Sequence, residues 1–208
     1  SIDWALRLLL LLGVPAAVAL VLFGMPLLAS FFGYGEFKAI DVLQTQRSLT
    51  MLGAGVPAFM MIKVLAPGFY AQQDIKTPVK VGAICMILNT LLCAILIWPL
   101  AHAGLALASA LVGYVNAGAL LVLLWRRGSY QPSEGWLRFS VQLLIANVAL
   151  ATYLIWISGD LITWMADTRG TRLLHVLGYV ASAGIIYFAT LVLTGVRFSE
   201  FRGQVLEK

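Results

Sequence analysis

The chain has 208 residues, of which 61% are hydrophobic and 11% charged, with a mean hydropathy of +0.93. A soluble domain carries about a quarter charged residues, so too little polar surface is present to coat one, and the composition assigns the chain to the membrane class. The net charge of +5 calls for no nucleic acid, because the placement of the basic residues gives it a topological reading.

Crossing a bilayer takes about 20 apolar residues. Six stretches qualify, near 5–32, 47–70, 79–100, 103–125, 138–158 and 172–195. The predicted fold class is therefore all-α: a polytopic membrane protein with six transmembrane helices. The first stretch runs on past Phe32, too far for the apolar region of a signal peptide, and Pro15 and Pro26 predict a bend in it. Before the second stretch, Asp41 with Gln44 three residues later resembles a capping box with Asp in place of Ser or Thr, so the second helix is expected to start near there and to stand proud of the membrane. Gly53, Gly55 and Pro57 predict a kink within it. The third stretch ends at Trp98-Pro99, an interfacial residue followed by a helix breaker. In the fourth, the four-residue spacings Gly104/Ala108, Ala106/Ala110 and Gly113/Ala117 predict close packing among helices, as does Gly178/Ser182 in the sixth. The polar stretch before the sixth, SGDLITWMADTRGTR, is expected to lie along the interface with Trp164.

The charges orient the spans. One set of ends and connections holds Arg7, Lys76, Lys80, Arg126, Arg127, Arg138, Arg197, Arg202 and Lys208; the other holds only Lys38, Arg47, Arg169 and Arg172. The richer set is predicted to be cytoplasmic, and both termini with it.

Chemistry is sparse. Every acid sits at a span end or in a connection, which gives no support to a relay of buried carboxylates within this chain. His102 and His175 lack partners at metal-ligand spacing. Cys85 and Cys93 lie about 12 Å apart along one helix, too far for a disulfide, and read as small buried hydrophobes. No metal, cofactor or catalytic group is predicted, and the chain does not read as an enzyme. Lys76-Thr77 resembles the end of a phosphate-binding loop, but Ile75 stands where that motif requires glycine. Lys63 is the one charge inside a span, about 10 Å from its inner end. Two readings stay open for it: a snorkelling side chain, or a cation facing an internal cavity. Asn89, Asn116, Asn147 and Gln142 are expected chiefly to make interhelical hydrogen bonds.

The connection between the second and third spans, VLAPGFYAQQDIKTPVKVG (64–82), is more elaborate than a turn requires. Pro67-Gly68 is expected to loosen the preceding helix. Tyr70 suits the interface, and Asp74 can accept from following backbone N–H groups. Lys76 stands beside Thr77 and Pro78, which read as the cap and first residue of the next helix.

That stretch resembles the signature after the tenth span of the MurJ (MviN) family of bacterial lipid II flippases. FFGYGEFKAIDVLQTQRSL resembles the family's outer connection, WPLAHAGLALASAL its proline-ended helix followed by a small-residue helix, and SIDWALRL also fits. The resemblance runs over essentially the whole chain. Members of that family have fourteen spans, so it implies that this chain is spans nine to fourteen, part of a fourteen-helix, two-lobed flippase with a central cavity that opens alternately to each side. Residues 1–128 would be four spans of the C-terminal lobe; residues 129–208 would be two further spans, forming a hydrophobic groove for a polyprenyl tail, and a cytoplasmic tail. The implied substrate is lipid II or a similar polyprenyl-pyrophosphate-linked precursor. The implied partners are that substrate, membrane lipids and the eight upstream spans, and the implied location is the bacterial inner membrane. Lys63, Asn89 and Asn116 are the candidates to face the cavity. Some members carry an acid one turn after the Asn that matches Asn89; here that position is Cys93, which speaks against an ion site. The alternatives are a flippase for another lipid-linked oligosaccharide and a membrane scaffold that transports nothing.

Overall fold

A computed structural model describes residues 2–36, 38–166 and 168–196. They form the helices α1 (Ile2–Leu22), α2 (Gly24–Phe32), α3 (Ala39–Ala54), α4 (Val56–Tyr70), α5 (Lys76–Leu100), α6 (His102–Arg126), α7 (Trp136–Ser158), α8 (Leu161–Ala166) and α9 (Arg169–Leu193). Six of the spans so defined are long and apolar enough to cross a membrane, with α3 and α4 counting as one span over Ala39–Tyr70.

The breaks fall where the backbone lacks donors or side chains. The first span passes through Pro15 unbroken and divides instead at Phe23, ahead of Gly24 and Pro26. A proline frees the carbonyl one turn before it, and Pro26 alone is placed so that the chain takes up that freedom as a bend. The second span divides at Gly55, two residues before Pro57, as its sequence predicts. There the Tyr114 hydroxyl of α6 donates to the Ala54 carbonyl at 2.7 Å, occupying an acceptor exposed at the bend. Asp41 proves to be the third residue of α3, not its cap: its carboxylate accepts from the Lys38 backbone N–H at 2.8 Å, the reciprocal half of a capping box.

Packing follows the small residues. α6 lies against α3, α4 and α5. At Gly104 a side chain would meet the Leu96 carbonyl, and at Gly113 it would meet the Phe59 ring, so these glycines set the helix approach. Gly178 departs from the expectation, with nothing within 4 Å of where its side chain would stand. α1 packs on α3, α4 and α7, and α7 pairs with α9. Two apolar cores result. The larger joins α1, α2, α7 and α9 around Leu11, Phe23, Leu154 and Leu191; the smaller joins α1, α4 and α6 around Leu6, Leu65, Phe69 and Leu124. Trp164 of α8 is buried in the larger core against Phe23 and Tyr179. Its indole N–H donates to the Ser158 carbonyl at 2.6 Å, which lets the ring be buried without an orphaned donor.

Candidate functional site

The elaborate turn after α4 is a latch. The Asp74 carboxylate accepts from the Thr77 N–H at 3.0 Å and the Thr77 hydroxyl at 2.5 Å. It also receives Arg127, from the end of α6, at 2.6 Å. Arg127 donates in addition to the Thr77 hydroxyl at 2.9 Å and lies over the Phe69 ring at 5.2 Å. Gln72 donates to the Gly68 carbonyl and accepts from Ser129. The turn therefore ties the adjoining ends of α4, α5 and α6 together. Thr77 is not the cap; α5 begins at Lys76 and Asp74 supplies the capping oxygens. Pro67-Gly68 does not loosen α4, which continues to Tyr70. Gly68 instead lets α4 approach Ile2 and Leu124. Tyr70 and Lys76 are exposed, whereas Pro78 is buried.

The Thr77 hydroxyl, then Arg127, hold the Asp74 carboxyl well below the usual carboxylate range. Because the folded-state pKa is depressed, the latch contributes fully above the unfolded pKa of about 3.9 and is lost as pH falls toward the folded value. Asp74→Ala is therefore expected to lower the melting temperature in detergent by a constant amount between about pH 5 and 8, and by a shrinking amount below about pH 4. A deficit that grows on acidification would contradict this assignment.

A second cluster at the same end surrounds Asp3. Its carboxylate accepts from Tyr130 at 3.1 Å, from the Ser133 hydroxyl at 2.6 Å and from the Trp136 indole at 2.6 Å, and pairs with Arg7 at 3.1 Å. Arg7 also donates to the Ser133 hydroxyl and the Glu134 carbonyl, and lies over Trp136. Burial, then the bond to Asp3, raises the Tyr130 phenol to about 12, so it remains a donor at any physiological pH.

At the opposite end the buried Arg172 donates to the Ala29 carbonyl at 3.1 Å and the Gly33 carbonyl at 2.9 Å, a cation set on the negative end of α2. His102 lies 3.2 Å from the Gln44 carbonyl, and His175 stacks on Tyr179. The connections thus sort to two ends of the bundle, as alternating spans require.

The candidate cavity residues lie apart. Lys63 is exposed on α4 and borders an open recess of about 530 Å3 with Ile2, Ala5, Val64, Pro67 and Gln72. Gln72 is engaged in the latch, so Lys63 carries the available polar group there. Asn89 on α5 and Asn116 on α6 are half-buried, and the Asn89 amide oxygen is shielded without a hydrogen-bond partner. No side-chain hydrogen bond joins Lys63, Asn89 and Asn116 among the described residues. Of the amides expected to bond between helices, Gln142 does so, donating to the Thr194 carbonyl at 2.7 Å. Asn147 instead donates within α7, to Leu143. Cys85 and Cys93 are free thiols, and no metal-binding group of acids, His or Cys is present among the described residues. Between α1, α7 and α9 runs an apolar cleft of about 220 Å3, lined by residues that include Leu12, Pro15, Leu154, Gly184 and Phe188.

The partners of the latch and of Asp3 were not legible beforehand. Arg127 reads as a topological charge more than 50 residues from Asp74, and Asp3 stands more than 120 residues from Tyr130 and Trp136.

Comparison with known proteins places these features. Residues 1–190 match the family model described as lipid II flippase MurJ. A lipid II flippase MurJ of Burkholderia cenocepacia is 39% identical over 203 residues, covering 97% of this chain and 39% of that protein. A probable lipid II flippase MurJ of Vibrio cholerae is 35% identical over 97% of this chain and 38% of its own length. The solved structure of a lipid II flippase MurJ in an inward closed conformation superposes with a TM-score of 0.69 at 20% identity, over 98% of this chain and 39% of that one. The chain thus spans about two fifths of the length of these relatives.

Proposed function

The chain belongs to the MurJ lipid II flippase family, and from that premise we propose that it supplies the last six spans of a transporter for lipid II. The transporter moves this polyprenyl-pyrophosphate-linked peptidoglycan precursor from the cytoplasmic to the periplasmic leaflet by alternating access. The observation that carries this reading is the family match over residues 1–190. The physics is consistent with it. Taking a pyrophosphate and sugars through hydrocarbon is prohibitive, and cations and amides along the path lower that cost. Lys63 would contribute one such cation. The shielded, unpartnered oxygen of Asn89 fits a surface completed by the rest of the transporter, since a buried amide oxygen left unpaired costs about 1–3 kcal/mol. The apolar cleft between α1, α7 and α9 has the character of a groove for a prenyl tail, and residues 129–208 would be the two spans added to the transport lobe. The test is complementation: the full-length protein containing this segment should sustain growth of cells depleted of their own lipid II flippase, and failure despite normal membrane levels would refute the reading.

The excess of basic residues at the end bearing the latch supports a cytoplasmic location for that end and for both termini of the segment, in the bacterial inner membrane. Cysteines introduced at Lys38, Ala71 and Gln131, with Cys85 and Cys93 replaced, give the check. A membrane-impermeant maleimide added outside should modify the cysteine at 38 and spare those at 71 and 131. Position 167, on the same predicted outer side, lies outside the described residues. The reverse labelling pattern would overturn the orientation.

A further inference from the structure

Between the first turns of α7 and the end of α9 lies a recess of about 530 Å3, bordered by Leu137, Arg138, Val141, Gln142, Ile145 and Thr194. Arg138 is exposed, and its guanidinium lies 3.7 Å from where a side chain on Gly195 would stand. No ion pair joins it to the Glu134 carboxylate four residues before it, and the nearby backbone carbonyls are engaged elsewhere. The Thr194 carbonyl accepts from Gln142, the Val192 carbonyl from the Gly195 N–H, and the Leu191 carbonyl from the Val196 N–H. Asp3 is saturated by Arg7, Tyr130, Ser133 and Trp136. No hydrogen bond or ion pair engages Arg138 among the described residues. The N-terminus of α7 beside it has no side-chain cap, so its first backbone N–H groups add positive potential in the same place. Below the guanidinium the floor turns apolar: Val141 and Ile145 lie one and two turns deeper and continue as the exposed face of Leu144 and Val148.

We propose that this recess holds one anionic phospholipid of the leaflet at the basic end of the bundle. The lipid phosphate meets Arg138, which can offer two parallel N–H donors to it, and the uncapped start of α7. An acyl chain lies over Val141 and Ile145. A cation at a span end above an apolar floor matches the phosphate-over-chain order of a lipid, and a soluble anion would leave the floor unused. The inference rests on the chain crossing a membrane, and it holds whichever way the chain is oriented.

Native mass spectrometry of the full-length protein in detergent tests it, with phosphatidylglycerol and phosphatidylethanolamine added in competition. The intact protein is expected to retain one phosphatidylglycerol in preference to phosphatidylethanolamine. Arg138→Gln is expected to reduce that preference about fivefold, the weight of one interfacial cation, whereas Arg138→Lys keeps most of it. Ile145→Trp, which fills the floor, is expected to weaken retention of both lipids at that site. Equal retention of the two lipids by the intact protein overturns the proposal, as does an unchanged preference in Arg138→Gln. Loss of the preference on deleting residues 197–208 also overturns it, because the cations of that tail would then be the holders. Normal folding of each variant is checked by its melting temperature.

Discussion

Lys63→Met is expected to abolish rescue of flippase-depleted cells while the protein still reaches the membrane at normal levels. Methionine keeps the length of the side chain and removes its charge. A charge-assisted hydrogen bond to a phosphate contributes roughly 1.5–3 kcal/mol, about ten- to a hundredfold in transport. Lys63→Arg is expected to keep part of the function, because the charge survives in a different shape. The position is suited to this role. Lys63 borders an open recess whose other polar side chain, Gln72, is committed to the latch. The competing account is snorkelling to the nearby interface, under which methionine would be neutral or mildly stabilising, since a charge in hydrocarbon is costly. Full rescue by Lys63→Met, with membrane levels matched, would decide for snorkelling and move the substrate cations to other parts of the transporter.

Asp3→Ala is expected to cost about 3 kcal/mol of stability, the scale of breaking a partly buried charge pair and leaving its donors unmatched. Asp3 is a hub. It accepts from Tyr130, Ser133 and Trp136 and pairs with Arg7, so one carboxylate joins α1 to the connection that leads into α7. Without it the Tyr130 hydroxyl and the Trp136 indole lose their acceptor, and Arg7 keeps only Ser133, the Glu134 carbonyl and its ring contacts. Asp3→Asn is expected to lose about half as much, since one oxygen can still accept but the charge is gone. Thermal unfolding in detergent reads both. A loss below about 0.5 kcal/mol for the alanine variant, the size of an ordinary surface change, would mean that water replaces the carboxylate without consequence.

The sequence by itself determined the class, the six spans and the resemblance to the MurJ family. Each of these rests on local properties. A span is about 20 apolar residues whatever surrounds it, and the kink near Gly55 follows from Gly55 and Pro57 alone. The turn from Tyr70 to Pro78 was recognisable because its residues are contiguous, and Asp74 could be read as an acceptor for backbone groups within a few positions of it. What the turn is for depended on Arg127, more than 50 residues away, and nothing local distinguishes that arginine from Arg126 beside it. The same holds for Asp3 with Tyr130 and Trp136 and for Arg172 with the Ala29 and Gly33 carbonyls. As single positions these are charges at span ends, and the chain path alone converts them into pairs. Local rules also left open which proline marks the bend of the first span, since Pro15 and Pro26 carry the same backbone defect; the break falls at Phe23, ahead of Pro26, where the Phe23 ring packs against Trp164 and Tyr179. Tertiary structure likewise decided which small residues matter. Gly104 faces the Leu96 carbonyl while Gly178 faces open space, and a spacing of four residues cannot tell a helix partner from lipid, because both are apolar.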